Sequence, residues 1–479
     1  MKASITTAEA EPLLGQPQAA LPRKHSARRE LNQFLILAAI LLFLLGINLL
    51  FSAFSGSSYE VKPISPKIKL PSSIKHSWAQ YTPYFSSSKY TKPPSGCRIT
   101  QVNILQRHGA RFPASNENEP ESIEAALASL KSASALLDPR LEFIKDYTYK
   151  LGEDDLVAFG AAQSFDTGQY DYTRYKHLVS KHSVPFVRAS GDQRVVDSAA
   201  NWTSGFGHAS RRNPAPSLNV IIEESPYSNN TLNNGMCPNA GGADRQMGIW
   251  EDFYATNIAS RLNASAPGAT VTAADVTNLI SLCALETVAN IEPSDFCGIF
   301  DPSEFESFEY YGDLRKYYGT GYGQELGPVQ GVGYVNELIA RLTESPVRDN
   351  TQTNRTLDSD PSTFPLNRKI YADFSHENEI VAVYGALGLF RQPDDLDPTS
   401  PDPERTWIAS YLVPFSARLV TERLDCSGTI SVRMLVNDRL QPLKFCGSDN
   451  DGICTLDAFL QSQEYARNDG NGDFEKCFD

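Results

Sequence analysis

The residues with the clearest chemical potential form one short stretch, at 106–113, which reads QRHGARFP. It places an imidazole, that of His108, between two guanidinium groups, next to a glycine that permits a close backbone approach. A neutral imidazole can attack phosphorus and form a phosphohistidine, which divides one difficult displacement into two easier ones. Arginine forks can neutralise phosphoryl oxygens as charge moves in the transition state. The stretch therefore indicates phosphoryl transfer; the alternative is a histidine and two arginines whose hydrogen bonds are satisfied at a sheet edge.

Two further segments place charged side chains near the ends of predicted strands. Residues 372–378 read ADFSHEN, and residues 188–194 read RASGDQR. In an α/β sheet, ligands bind beyond the carboxyl ends of the strands. With the stretch at 106–113, these segments resemble the signatures of the histidine acid phosphatases, in the wider phosphoglycerate-mutase-like superfamily. The resemblance extends from about residue 80 to residue 479 and is closest to the fungal phytase and acid phosphatase branch.

The resemblance implies a role for each charged residue. His108 is expected to be the nucleophile, and four side chains are expected to hold the phosphate: Arg107, Arg111, Arg194 and His376. Glu377 would protonate the leaving-group oxygen, which requires a protonated carboxyl close to the ester. The mould-type enzymes usually carry Asp at that position, so the proton here lies about one methylene further out. Arg188 is interpreted as a structural residue.

The same resemblance predicts a substrate pocket. Gln80 and Tyr81, in the segment WAQY, and Lys316, in the segment LRKYYG, match positions that line the pocket of phytases. The alternative for Lys316 is a solvated surface lysine. Ala114 stands where phytases often carry a hydroxyl residue, which disfavours strict phytate specificity. The expected substrate is a small phosphate monoester, with phytate as one candidate.

Composition and motif content argue against nucleic acids, metals and cofactors as ligands. The chain has 479 residues, with 43 Lys and Arg against 57 Asp and Glu, a net charge of −14. An acidic surface repels a nucleic-acid backbone, so no nucleic-acid partner is expected. The sequence contains neither CxxC nor HExxH, and we expect no metal and no cofactor. The glycines at 319–333 do not fit a dinucleotide loop, and residues 449–452, which read DNDG, do not complete a calcium loop.

The N-terminal region predicts a membrane anchor. Residues 34–54 carry no charge, and about 20 apolar residues suffice to cross a bilayer. Four basic residues lie just before this segment: Arg23, Lys24, Arg28 and Arg29. The positive-inside rule then predicts a cytosolic tail at 1–33 and a signal anchor at 34–54. A luminal or extracellular stalk is expected at 55–95, which then wraps onto the domain. The tail segment EAEPLL at 9–14 resembles a dileucine signal for a sorting adaptor. The chain is thus predicted to be a type II membrane protein of the secretory pathway, in the vacuole, the endosome or at the cell surface.

Cysteines and glycosylation sequons agree with that topology. All eight cysteines follow the predicted anchor, and an even number in an oxidising compartment predicts four disulfides, among 105 possible pairings. Cys446 with Cys454 and Cys283 with Cys297 can close local loops. The resemblance implies the long-range pairs Cys97–Cys426 and Cys237–Cys477. The sequons, which predict glycosylation on the same side of the membrane, lie at Asn201, Asn229, Asn263 and Asn354.

Hydrophobic periodicity predicts an α/β protein. The predicted strands are 98–105, 184–187, 218–222 and 369–374, with a hairpin of 432–436 and 439–443. The predicted helices are 195–206, 250–262, 273–288, 332–342 and 379–389. We expect a large three-layer α/β sheet domain at 96–479, with an inserted and mainly α-helical subdomain at about 225–325.

The leading functional hypothesis is a membrane-anchored, phytase-like acid phosphomonoesterase that works through a phosphohistidine. One alternative is a broad-specificity phosphotransferase or mutase that uses the same intermediate. The other is a catalytically inactive ectodomain that serves as a binding module. A phosphatase assay separates these three classes.

Overall fold

The computed structural model describes residues 61–211, 215–225, 228–448 and 451–479. The predicted tail at 1–33, the predicted anchor at 34–54 and the start of the predicted stalk lie outside these residues, as do positions 449 and 450 of the DNDG segment. Across the described ranges, no helix has the length and apolar character needed to span a membrane.

A mixed β-sheet forms the centre of the described structure. Its strands are β1 (Cys97–Arg107), β2 (Phe186–Ser190), β3 (Leu218–Ile222), β4 (Ile370–Ser375), β5 (Arg418–Cys426), β6 (Thr429–Val436), β7 (Arg439–Leu440) and β8 (Cys454–Thr455). They follow the order β3-β2-β4-β1-β5-β6-β7, and β8 pairs with β6. Strands β3, β2, β4 and β1 run parallel, whereas β5 to β8 add antiparallel pairs. The parallel half therefore directs the carboxyl ends of four strands to one edge.

Helices cover both faces of the sheet. They are α1 (Ser72–Lys75), α2 (Glu119–Lys131), α3 (Ala158–Tyr175), α4 (Gln193–Ala209), α5 (Asp244–Ser265), α6 (Ala273–Asn290), α7 (Pro302–Gly319), α8 (Val332–Thr343), α9 (Arg355–Asp358), α10 (Glu377–Leu387), α11 (Ala409–Leu412), α12 (Leu456–Ser462) and α13 (Glu464–Arg467). Val102 and Ile104 of β1 pack in one core with Trp202 of α4, and Leu105 packs in the other core with Ile380 of α10. This alternation along β1 gives the three-layer arrangement that the sequence predicts.

The helical block lies between β3 and β4 in the chain. Helices α5, α6 and α7 occupy it, and the described residues of 225–325 contain no strand. Helix α2 packs against α6, so this layer also takes in a segment from before the predicted boundary. The expectation of a helical insertion therefore agrees with the structure, but the helical layer also includes residues that lie before 225.

Residues 61–95 require a correction. They belong to the same compact unit as the rest of the described chain, and Trp78 and Tyr81 are buried. Glu309 accepts a hydrogen bond from the backbone N–H of Ala79 at 2.7 Å, which ties this segment to α7. The predicted stalk thus wraps onto the domain, and the domain boundary predicted at residue 96 lies too far along the chain. The segment is too apolar at Trp78–Tyr81 to remain in solvent, and it completes the core instead.

All four predicted disulfides are present. The Cα–Cα distances are 4.0 Å for Cys97–Cys426, 4.6 Å for Cys237–Cys477, 4.9 Å for Cys283–Cys297 and 6.0 Å for Cys446–Cys454. The first bridge joins β1 to β5, and the second joins the end of the chain to the segment before α5. The pairing that the sequence and the resemblance predicted is confirmed.

The four sequon asparagines lie at partly exposed positions, and glycosylation stays a prediction. Asn201 lies within α4, and Asn354 caps the N-terminus of α9. The amide of Asn263 both donates to and accepts from the backbone of Val271, at 2.9 Å each. A glycan on Asn263 would have to replace these two bonds.

Candidate active site

The sheet topology brings the predicted site residues together. His108 follows β1, His376 and Glu377 follow β4, and Arg194 lies in the first turn of α4, which follows β2. Because β1, β4 and β2 are parallel neighbours, their carboxyl ends meet at one edge. The backbone N–H of His108 donates to the carbonyl of Ser375 at 3.0 Å, which fixes the two strand ends to each other.

His108 is held in the tautomer that a nucleophile needs. Its Nδ1 lies 2.8 Å from the carbonyl oxygen of Gly109, and a carbonyl can only accept, so Nδ1 carries the proton. The lone pair is then on Nε2. Burial lowers the pKa of His108 well below its usual range, and the nearby Arg107 and Arg194 lower it further. The imidazole therefore stays neutral in acid, as attack on phosphorus requires.

Arg107 connects the nucleophile to the predicted proton donor. Its Nε lies 2.9 Å from Oε2 of Glu377, and its Nη1 donates to the carbonyl oxygens of Gln80 and Val413 at 2.5 and 2.7 Å. The guanidinium also lies over the ring of Phe415, 4.6 Å from its centroid. Arg107 is fully buried, so these contacts fix its orientation.

Arg111 and Arg194 approach the same space from the other side. Arg111 pairs with Glu119 at 2.9 Å through Nη1, and Arg194 pairs with Asp192 at 2.7 Å through Nη1. Each of the three arginines predicted to hold the phosphate has a buried guanidinium nitrogen with neither a hydrogen-bond nor an ion-pair partner among the described residues: Arg107 Nη2, Arg111 Nε and Arg194 Nε. Buried donors normally have partners. Three unsatisfied donors around one nucleophile indicate an anion site.

His376 completes the set. Its Nε2 lies 2.9 Å from Oε1 of Glu224, and its ring lies edge-on to that of His108, with 5.6 Å between centroids. Although burial of Glu224 raises its pKa, the contact with His376 outweighs that effect and holds the pKa at about 2. Glu224 is thus ionised and orients the imidazole.

Two neighbouring cavities adjoin these residues. One, of about 110 Å³, is lined by His108, Arg111, Arg194, His376 and Glu377. This volume equals that of roughly three or four waters, at about 30 Å³ each, which is suited to a single small anion. The other, of about 420 Å³, lies beside it and shares Glu117 and Asn378 in its lining. Its size is that of a small-molecule site.

Two of the three predicted substrate residues lie at the larger cavity, and the third, Lys316, lies beside Glu377. Gln80 and Tyr81 line the cavity. Lys316 is 1% exposed, its Nζ donates to Asn378 at 2.7 Å, and Glu377 Oε1 lies 3.5 Å from it. The alternative of a solvated surface lysine is therefore wrong. Burial lowers the pKa of Lys316 to about 8, although Glu377 opposes the shift.

Glu377 is ionised in this arrangement. Burial raises its pKa, but the opposing effects of Arg107, Lys316 and His108 are larger and hold it well below the usual range. A predicted proton donor must carry a proton. Glu377 therefore lies where a proton donor is expected, but it has to gain its proton when the substrate binds.

Arg188 is structural, as predicted. It is buried and pairs with Asp373 and Glu337 at 2.8 and 2.5 Å, under the sheet and away from both cavities. Sequence reasoning missed four residues of the site: Asp192, Glu224, Glu117 and Arg315. Glu224 could have been found, because it follows β3 at the same carboxyl edge.

Three of the described residues could geometrically hold a metal. Ligand atoms of Asp192, Glu224 and His376 lie within 4.8 Å of one another. However, Asp192 is paired with Arg194 and Glu224 with His376. These contacts already satisfy both carboxylates, so the cluster is a charge network that supports the anion site.

The fold and the site together define a phosphatase of the phosphohistidine class. Residues 98–437 match the model of the histidine phosphatase superfamily, branch 2, and the chain belongs to that family. It is a phytase-like histidine acid phosphatase, and therefore a phosphoric monoester hydrolase.

Individual relatives show how far the similarity extends. Phytase A of Emericella nidulans is 41% identical over 426 residues, covering 85% of this chain and 91% of that protein. Phytase A of Aspergillus fumigatus is 40% identical over 425 residues, covering 84% and 90%. Among solved structures, the phytase from D. castellii superposes with a TM-score of 0.70 at 24% identity, covering 85% of this chain and 87% of that one. The latter comparison supports the fold.

Proposed function

We propose that this chain hydrolyses phosphate monoesters of polyols, phytate among them, through a phosphate covalently held on His108. The observation that carries the proposal is the position of His108 Nε2. It carries a lone pair, because Nδ1 donates to Gly109. The cavity beside it is lined by Arg111 and Arg194, each of which has a buried, unsatisfied guanidinium nitrogen.

In the first step, the phosphate group occupies the smaller cavity and Nε2 attacks phosphorus. The N–P bond forms as the P–O bond to the alcohol breaks, and the alcohol departs toward the larger cavity. Its oxygen needs a proton, which we assign to Glu377. The bound phosphate competes for Arg107 and adds negative charge beside the carboxyl, and both effects raise the pKa of Glu377. A monoanionic ester can itself supply the proton that Glu377 then passes on.

In the second step, water attacks the phosphohistidine. The carboxylate of Glu377 accepts the proton from that water, the N–P bond breaks, and phosphate leaves with His108 neutral again. Arg107, Arg111 and Arg194 stabilise the transferring group in both steps, because its equatorial oxygens carry the charge throughout.

Phytate is included in the proposal because the relatives are named Phytase A, and the cavity beside the nucleophile is large enough for a polyol. The test is a panel of phytate, glycerol 2-phosphate and p-nitrophenyl phosphate with the purified full-length chain at acid pH. Phosphate release that is lost in His108→Ala and kept in His177→Ala, an exposed histidine outside the site, is the expected result. No release from any ester would favour the binding module, and transfer to added glycerol in preference to water would favour the phosphotransferase.

We further propose that residues 34–54 anchor the chain as a type II membrane protein of the secretory pathway, with the catalytic domain luminal or extracellular. The uncharged segment, the preceding basic residues and the four disulfides support this topology. Protease protection of the catalytic domain in sealed membranes, together with a mass decrease on deglycosylation, tests both the topology and the sequons. Changed sorting of Leu13→Ala/Leu14→Ala tests the proposed adaptor signal.

A further inference from the structure

We propose that Glu117 is a specificity-determining residue, which biases the active site against polyphosphorylated esters and toward esters with one phosphate on an uncharged polyol. This inference rests on the proposed function, since it names the class of substrate that the same site prefers. It depends on where Glu117 lies, on what it pairs with and on the charges that surround the departing alcohol.

Glu117 stands at the junction of the two cavities. It ends a short turn, Ser115–Glu117, and lines both the cavity beside His108 and the larger cavity. The turn is fixed, because the backbone N–H of Ser115 donates to Asp154 at 3.0 Å and its hydroxyl donates to the same carboxylate. Any substrate with its phosphate at His108 and its alcohol in the larger cavity must pass beside this carboxylate.

The carboxylate of Glu117 neutralises Arg315, the cation of the larger cavity that would bind a second phosphate of the substrate. Its Oε2 lies 2.6 Å from Nη2 of Arg315, and the other side-chain contact of that guanidinium is with Tyr81, at 3.4 Å. Arg315 lowers the pKa of Glu117 to about 2, so the carboxylate stays charged in the acid range. A second substrate phosphate would have to compete with Glu117 for Arg315.

The larger cavity as a whole is acidic. Its lining contains three carboxylates, Glu117, Glu119 and Asp244, against the single guanidinium of Arg315. Arg111 pairs with Glu119 from outside this lining, and a net negative charge still remains. Like charges in a partly buried site repel strongly, because the effective dielectric is far below that of water. The neutral hydroxyls of a polyol meet carboxylate acceptors there, together with the polar side chains of Asn278 and Ser281. Arg111 and Arg194 bring buried, unsatisfied guanidinium nitrogens to the smaller cavity, whereas the guanidinium of Arg315 at the larger cavity is already paired with Glu117. This difference matches an ester with one phosphate.

The experiment compares kcat/KM for myo-inositol hexakisphosphate with kcat/KM for myo-inositol 1-phosphate in the full-length chain. In Glu117→Gln the ratio of the two values should rise about tenfold, which corresponds to about 1.4 kcal/mol. Glu117→Lys should raise it further. The control is Glu121→Gln, which removes the same charge from an exposed position on α2 outside both cavities, and it should leave the ratio unchanged.

A double-mutant cycle tests the route through Arg315. Arg315→Gln in the Glu117→Gln background should abolish most of the gain, because no freed guanidinium remains to bind the second phosphate. An unchanged ratio in both Glu117 variants, with normal hydrolysis of inositol 1-phosphate, would overturn the inference and leave the proposed function intact. Absence of hydrolysis in the parent chain would instead refute the proposed function.

Discussion

Nε of Arg107 lies 2.9 Å from Oε2 of Glu377, and the same carboxylate oxygen lies 3.5 Å from Nε2 of His108. One buried carboxylate thus contacts both a phosphate-binding arginine and the nucleophile. The ion pair with Arg107 keeps Glu377 ionised before substrate binds. Binding of phosphate and protonation of the donor are therefore coupled through Arg107, because both the phosphate and Glu377 compete for that guanidinium.

Glu377→Gln should separate substrates by their leaving groups. The glutamine keeps the volume but has no transferable proton, so hydrolysis of alkyl phosphates should fall by about 10²–10⁴, the usual contribution of general acid catalysis. Loss on p-nitrophenyl phosphate should be much smaller, since an aryl oxide leaves with little protonation. Steady-state kcat for glycerol 2-phosphate and p-nitrophenyl phosphate provides the measurement. Equal losses on both esters would remove the donor role from Glu377.

The pH profile should show where Glu377 takes up its proton. In the free chain the pKa of Glu377 lies well below the usual range. The pH profile of kcat/KM reports the free enzyme, so Glu377 should not contribute a transition at an ordinary carboxyl pKa to it. In the complex the pKa is raised, and kcat for alkyl phosphates should fall as pH rises through that higher value. Profiles of kcat and kcat/KM from pH 2.5 to 7, in the parent and in Glu377→Gln, test this. A basic limb of kcat that persists unchanged in Glu377→Gln would contradict the coupling.

Substitution of Arg107 or Arg111 by Gln should lower kcat/KM for every ester by a similar factor. Each guanidinium acts on the transferring phosphoryl group, and loss of one preorganised donor typically costs about 10²–10³ in rate. The panel of alkyl and aryl phosphates measures the losses, and Arg439→Gln, at an exposed position in β7, is the control. A loss that depended on the alcohol would place the arginine at the leaving group instead.

Stability should decrease from mildly acidic to neutral pH. Burial raises the pKa of Glu309 to about 8, from an ordinary value of 4.5, and the neighbouring Asp313 raises it further. The folded state therefore favours the neutral carboxyl, so this contribution is complete below pH 4.5 and is lost as pH rises toward 8. We expect the unfolding midpoint to fall by about 5 °C between pH 5 and pH 8.

In Glu309→Gln the unfolding midpoint should fall less between pH 5 and pH 8 than in the parent, whatever its absolute value. In Glu142→Gln, an exposed control, the dependence of the midpoint on pH should be unchanged. Thermal unfolding across the pH series measures both. A slope that is identical in the parent and in Glu309→Gln would show that Glu309 has an ordinary pKa in the folded state.

The sequence predicted which of these residues lie close together, because most of them follow the carboxyl ends of strands. His108, Arg194 and the pair His376-Glu377 each follow a strand of the parallel half, and one rule of α/β sheets places them together. Glu117 and Arg315 could not be found in this way. They meet across a 2.6 Å contact between an irregular turn and α7, and neither segment carries a periodic signal that aligns it with the other.

The fold was less predictable where elements pack through small or polar residues. Helix α3 was missed because its buried positions include Ser164, Asp166 and Gly168, which give no apolar stripe. A Cβ at Gly168 would lie 2.1 Å from the carbonyl oxygen of Trp202, so the close approach of α3 to α4 requires that glycine. Strand β5 was missed for a similar reason, since its buried Glu422 pairs with Arg433 of β6. Helices α2 and α7 and the short strand β8 were not predicted either.

The boundaries of predicted strands shifted where the ends are irregular. The strand predicted at 184–187 is β2, at Phe186–Ser190, and the second hairpin strand is shorter than 439–443. The hairpin turn itself is correct, because Asn437 and Asp438 adopt positive φ of 48° and 68°, as a two-residue turn requires.

The phosphoenzyme tests the central claim most directly. The full-length chain is mixed with an excess of p-nitrophenyl phosphate and quenched within milliseconds into base, in which phosphohistidine survives. Peptide mass spectrometry then locates the phosphate. We expect phosphate on Nε2 of His108 during turnover and none in His108→Ala, which should also lose turnover while it keeps its fold. Phosphate on another residue, or turnover near the parental rate in His108→Ala, would contradict the account.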